Sequence, residues 1–111
     1  MMKYKTFILI TLLLGNHALA DDHSTSPVDQ INFAIKEAES GHASSSSRYL
    51  AIALNKTLEQ LLTATGKKRS HLNDAVVELQ QAIDHGNLGH PGETSSHART
   101  AGWHIKLANG K

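Results

Sequence analysis

The sequence predicts an all-α protein, an up-and-down four-helix bundle built from two tandem helical hairpins. Three observations point there. Apolar residues recur at i, i+3, i+4 and i+7 in successive stretches, and no run alternates with period two. Glycine-bearing turns separate the stretches at Gly41, at Gly66 and between Gly86 and Gly92. Finally, "AIKEAESGH" (34–42) matches "AIDHGNLGH" (82–90) at Ala, Ile, Gly and His with a constant offset of 48, which also lays Val28 on Val76 and Ala53 on Ala101. An internal repeat of that length is one helical hairpin, and two of them bury each other's apolar faces.

Residues 1–20 stand apart from the fold. Lys3 and Lys5 precede the apolar run FILITLLL, and Ala18-Leu19-Ala20 ends it in small residues. A basic start, an apolar run too short to span a bilayer and an A-x-A site make a cleaved signal peptide. The expectation is export to a bacterial periplasm, a mature chain from Asp21, and no stable membrane insertion after cleavage. Residues 21–26 are expected to form a flexible N-terminus, and 27–108 the bundle.

Each helix has its own signals. Ser26-Pro27-Val28-Asp29 sets a capping serine, proline at the first helical position and an acid at the positive dipole end. Val28, Ile31, Ile35 and Ala38 follow on one face. The second stretch, from about Ala43 to Thr65, puts Leu50, Ala53, Leu54, Thr57, Leu58 and Leu61 together, and its weak helix formers Ser44 to Ser47 are expected to fray. Gly66 to Ser70 is expected as a turn ending in a serine cap. The third stretch carries the clearest stripe, Leu72, Ala75, Val76, Leu79, Ala82 and Ile83. The fourth, from Pro91 to about Ala108, has Ala98, Ala101, Ile105 and Ala108 on one face, with Gly102 weakening it by about 1 kcal/mol relative to Ala.

Composition narrows the chemistry. Without Lys3 and Lys5, nine basic residues face ten acidic ones, a formal charge of −1, which argues against nucleic acid or an anionic membrane as the main partner. Cysteine is absent, and Met1 and Met2 both lie in the leader. The exported chain therefore offers imidazole and carboxylate but no sulfur. Its histidines are His23, His42, His71, His85, His90, His97 and His104.

Their spacing carries the functional reading. With Leu72 and Leu79 at heptad position a, the residues His71, Glu78 and His85 all occupy g; with Ala98 and Ile105 at a, so do His90, His97 and His104. A turn this short makes the last two helices antiparallel, and facing g positions then keep a constant sum of residue numbers. Three rungs follow: His85 with His90, Glu78 with His97, and His71 with His104. Two helical turns, about 10.5 Å, separate successive rungs, so separate or loosely shared sites are expected. Imidazole nitrogen and carboxylate oxygen suit Cu(II), Ni(II) and Zn(II). A second candidate arises at a terminus beginning Asp21-Asp22-His23, where amine, two amides and imidazole can hold Cu(II) or Ni(II) in a plane.

"LNDAVVELQQAIDHGNLGH" and "HARTAGWHIK", with a fainter copy in "INFAIKEAESGH", resemble the small metal-binding proteins of bacterial periplasms, histidine-rich four-helix bundles. The resemblance covers most of 28–108, strongly in the second half only. It implies reversible binding of copper and other divalent ions, for metal buffering or detoxification. The first hairpin departs from it. By the repeat offset it keeps His23 and His42, but sets Glu37, Tyr49 and Lys56 where the second has His85, His97 and His104, and Gln30 in place of Glu78.

Enzyme motifs are missing: the chain has no Gly-x-Ser-x-Gly elbow, phosphate-binding loop or His-Glu-x-x-His. Covalent or Met/His haem attachment lacks its residues, while bis-His ligation stays open. The rival reading is a metal-independent periplasmic adaptor or stress-sensing module using Lys67-Lys68-Arg69 and Trp103 as contacts. For the basic trio a solvated turn is the simpler account, and for Trp103 packing within the bundle. An adaptor would have no use for opposed imidazoles.

Overall fold

The structure is a computed structural model, and it describes residues 25–110. Residues 1–24, with the expected signal peptide and most of the expected flexible start, lie outside the described residues. Within them, helices α1 (Pro27–Glu39), α2 (Ala43–Leu61), α3 (Gly66–Asn87) and α4 (Pro91–Ala108) follow one another with no strand. Connections this short force each helix antiparallel to the last. Each packs on its chain neighbours, α1 closes the ring against α4, and α3 with α4 form the most extensive pairing.

The start of α1 obeys its sequence. Ser26 Oγ accepts from the Asp29 amide at 3.1 Å, and the Asp29 carboxylate accepts from the Ser26 amide at 3.3 Å, a reciprocal capping box behind Pro27. Its buried face carries Ile31, Ala34, Ile35 and Ala38. Of these, Ile31, Ala34 and Ile35 meet Leu50 and Ala53 of α2, Leu72, Ala75, Leu79 and Ala82 of α3, and Ala98, Ala101 and Ile105 of α4 in one core. Alanine at so many core positions brings the helices close and leaves the few large side chains to fill the middle. Two aromatics stay outside: Phe33 is exposed, with its ring centroid 5.8 Å from that of Tyr49, which packs partly buried against the core, and Trp103 is 58% exposed rather than packed into the bundle.

Gly41 and Gly89 close the two hairpins alike. Both take a left-handed backbone, with φ of 88° and 77°. Each glycine amide donates three residues back, and the following histidine amide five back: His42 to Glu37 at 2.8 Å, His90 to His85 at 2.9 Å. This double closure is a Schellman motif, which brings the side chains at its two ends together.

Several expectations change. The helix expected to reach Thr65 stops at Leu61, and the stretch Gly66–Ser70, expected as a turn, is the first part of α3. Lysine and arginine favour helix, and Arg69 Nη1 reaches back to donate at 2.9 Å to the Leu61 carbonyl at the end of α2, which also accepts from the Ala64 amide at 3.4 Å. The reversal falls instead on residues 62–65, leaving Leu62 84% exposed, while Leu58, expected on the buried face, is also exposed. The serine run changes too and is helical throughout; Ser46 is fully buried and donates to the Ala43 carbonyl. The space explains it. A methyl on Gly86 would meet Ser47 Oγ at 2.5 Å and the Ala43 carbonyl at 3.0 Å, so small residues on both helices let α2 and α3 touch backbone to backbone. Gly86 itself sits inside α3, and only residues 88–90 make the last turn.

Candidate metal centre

Heptad spacing runs His71, Glu78 and His85 along one flank of α3, and His90, His97 and His104 along the facing flank of α4. All three expected pairs meet. His71 Nδ1 lies 3.3 Å from His104 Nδ1, His85 Nδ1 lies 3.2 Å from His90 Nδ1, and His97 Nδ1 lies 2.8 Å from Glu78 Oε1. The His85–His90 pair joins the two ends of the Schellman motif, so its closeness comes from the turn itself. The other two depend on α3 and α4 staying in register through the core beneath them. His90 is exposed; the middle and far pairs are half-buried, and the His104 side chain is only 17% exposed.

These separations suit a metal. Two nitrogens each about 2.05 Å from one tetrahedral ion stand about 3.3 Å apart. The same separation serves a single proton shared between two neutral rings, so proton and metal compete for the seat.

Two features depart from the rung picture. His85 stacks on His97 with centroids 5.3 Å apart and planes 9° apart, so the two rungs nearest the turn touch, the shared rather than the separate arrangement. The spacing of about 10.5 Å is a backbone distance, and side chains lean toward their own helix N-terminus. In antiparallel helices His85 and His97 therefore lean toward each other. The second feature is Asp74, whose Oδ2 lies 3.9 Å from His104 Nδ1. One donor atom each from His71, Asp74 and His104 fall within 4.8 Å of one another. Sequence reasoning passed over Asp74, although His71-x-x-Asp74 is an i, i+3 pair that shares a helix face.

The first hairpin contributes less. His42 Nδ1 lies 3.8 Å from Glu37 Oε1, the counterpart of His85 with His90, on an exposed surface. Gln30, in the place of Glu78, is buried and donates to Thr25 Oγ1 at 2.6 Å; Tyr49, in the place of His97, faces Phe33. His23 lies outside the described residues.

The family model for small metal-binding protein matches residues 1–108. The chain belongs to the small metal-binding protein family. No curated protein and no solved structure gives a significant match. Metal binding, the family's stated property, thus falls on a chain whose second hairpin opposes imidazole to imidazole. No helix among the described residues is long and apolar enough to cross a membrane. In this small metal-binding protein the α3–α4 seam is where nitrogen and oxygen donors converge, and Trp103 lies edge-on to it, 5.0 Å from the His104 ring.

Proposed function

We propose that this member of the family takes up divalent transition-metal ions reversibly along the α3–α4 seam, Cu(II) foremost with Ni(II) and Zn(II) as weaker occupants, and buffers them in the periplasm without catalysis. The observation that carries the reading is the pair of Nδ1–Nδ1 contacts at 3.2 and 3.3 Å, each a ready-made edge of a metal polyhedron. Nitrogen and oxygen donors without sulfur follow the order in which Cu(II) outcompetes the other divalent ions. Two or three protein ligands leave positions for water, which keeps exchange open and suits a buffer better than a structural site. The periplasmic assignment rests on the leader sequence.

The two hairpins are read as copies of one unit, the second specialised for metal and the first retaining His42 beside Glu37. A cut after Ala20 adds the Asp21-Asp22-His23 terminus as a separate planar site for Cu(II) or Ni(II). Equilibrium dialysis against Cu(II), Ni(II) and Zn(II) tests both sites. The His97→Ala, His104→Ala double variant should lower seam uptake, leaving only the His85–His90 pair, and one extra residue before Asp21 should lose the terminal ion alone. Uptake unchanged by either alteration would overturn both assignments.

A further inference from the structure

We propose that the seam holds two unlike centres, and that the tighter one is a two-histidine, one-carboxylate centre for a divalent transition ion built by His71, Asp74 and His104. This rests on the metal-binding reading above and goes beyond it by adding Asp74 as a ligand and by ranking the sites.

Convergence separates the two ends. An imidazole donates through a lone pair in its ring plane. His85 and His97 lie in planes only 9° apart, so their lone pairs run in nearly parallel sheets rather than toward one point. Glu78 already accepts from His97 at 2.8 Å. The turn side therefore presents one ready pair, His85 with His90, on an exposed loop. At the other end three donors from three residues fall within 4.8 Å, the one such group among the described residues.

The chemistry of the third donor adds to the geometry. Two neutral imidazoles leave a divalent charge uncompensated, whereas Asp74 brings a negative charge to the ion. Its side chain is 57% exposed and free to swing. Closing from 3.9 Å toward the roughly 3.3 Å edge of a tetrahedral site needs only a small χ adjustment. Much of the ligand set is already held: His71 and Asp74 share one face of α3, and His104 is tucked beneath Trp103 where water is partly excluded. Coulomb attraction counts for more there than on the open turn. Three protein ligands leave open coordination positions, the arrangement that two-histidine, one-carboxylate sites use for exchangeable partners.

Trp103, the only tryptophan, sits against His104 and makes this centre separately visible. Protein carrying one extra residue before Asp21, which removes the terminal site, would be titrated with CuCl2, following tryptophan emission beside total copper bound by dialysis. Quenching should saturate near the first equivalent while uptake continues. Asp74→Asn should weaken the quenching phase about tenfold or more, with helix content unchanged by circular dichroism, and His90→Ala should leave that phase in place while lowering later uptake. A shift smaller than about twofold in Asp74→Asn would remove Asp74 from the ligand set. If His90→Ala displaced the quenching phase as far as His104→Ala does, the seam would be one shared site and the proposal would fall. Either result with copper still bound by the wild type spares the metal-binding reading; no copper bound at all would sink that reading first.

Discussion

Single residues decide how closely α2 and α3 approach. Gly86 faces Ser47 Oγ and the Ala43 carbonyl, and the carbonyl cannot move aside without bending α2. Gly86→Ala should therefore destabilise the bundle by about 1–3 kcal/mol in urea unfolding. A methyl added to Gly92, in the first turn of α4, would meet nothing within 4 Å, so Gly92→Ala should be neutral or stabilise by about 0.5 kcal/mol through the unfolded chain. The two substitutions are chemically identical, and their difference would measure the helix contact alone. In the core, Leu79 is fully buried, so Leu79→Ala should cost about 2–5 kcal/mol.

At the scale of elements, caps and turns set where each helix begins and how side chains meet. Removing the Ser26 hydroxyl opens the capping box, and Ser26→Ala should lower stability by about 1 kcal/mol without touching the seam. Metal affinity measured on that variant should stay at the wild-type value, separating fold from site. The Schellman turns do more than reverse the chain. They bring residue 85 to residue 90 and residue 37 to residue 42, so each hairpin carries a donor pair at its tip by construction. The second hairpin has imidazole at both ends; the first has a carboxylate and an imidazole, held farther apart.

For the whole molecule, metal and folding are linked through α3 and α4. An ion that needs donors from both helices binds the folded pair and not the unfolded chain. At an ion concentration of about 100 Kd the gain is about 2.7 kcal/mol, which for a domain of this size raises Tm by about 10–20 °C. Imidazole ligates only when neutral, so protons compete with the ion as pH falls. The Cu(II)-induced rise in Tm should thus be present at about pH 7.5 and lost at about pH 5. An undiminished rise at the acid end would point to ligands other than imidazole.

Much of this was open to reading along the chain. Apolar spacing located four helices, Ser26-Pro27 placed the first start, and heptad histidines on either side of a short turn left one antiparallel register, so the three opposed pairs followed. Those features are periodic and local, and the backbone repeats them faithfully. Other features lay beyond such a reading: Arg69 pulling the start of α3 forward, the serine run becoming a contact surface, His85 leaning onto His97, Asp74 joining His71 and His104, and Trp103 standing outside the core. Each depends on the direction a side chain takes into the space a neighbouring helix leaves. Sequence period specifies which face a residue occupies, but only the packed helices settle how far its side chain reaches across the gap and what it meets there.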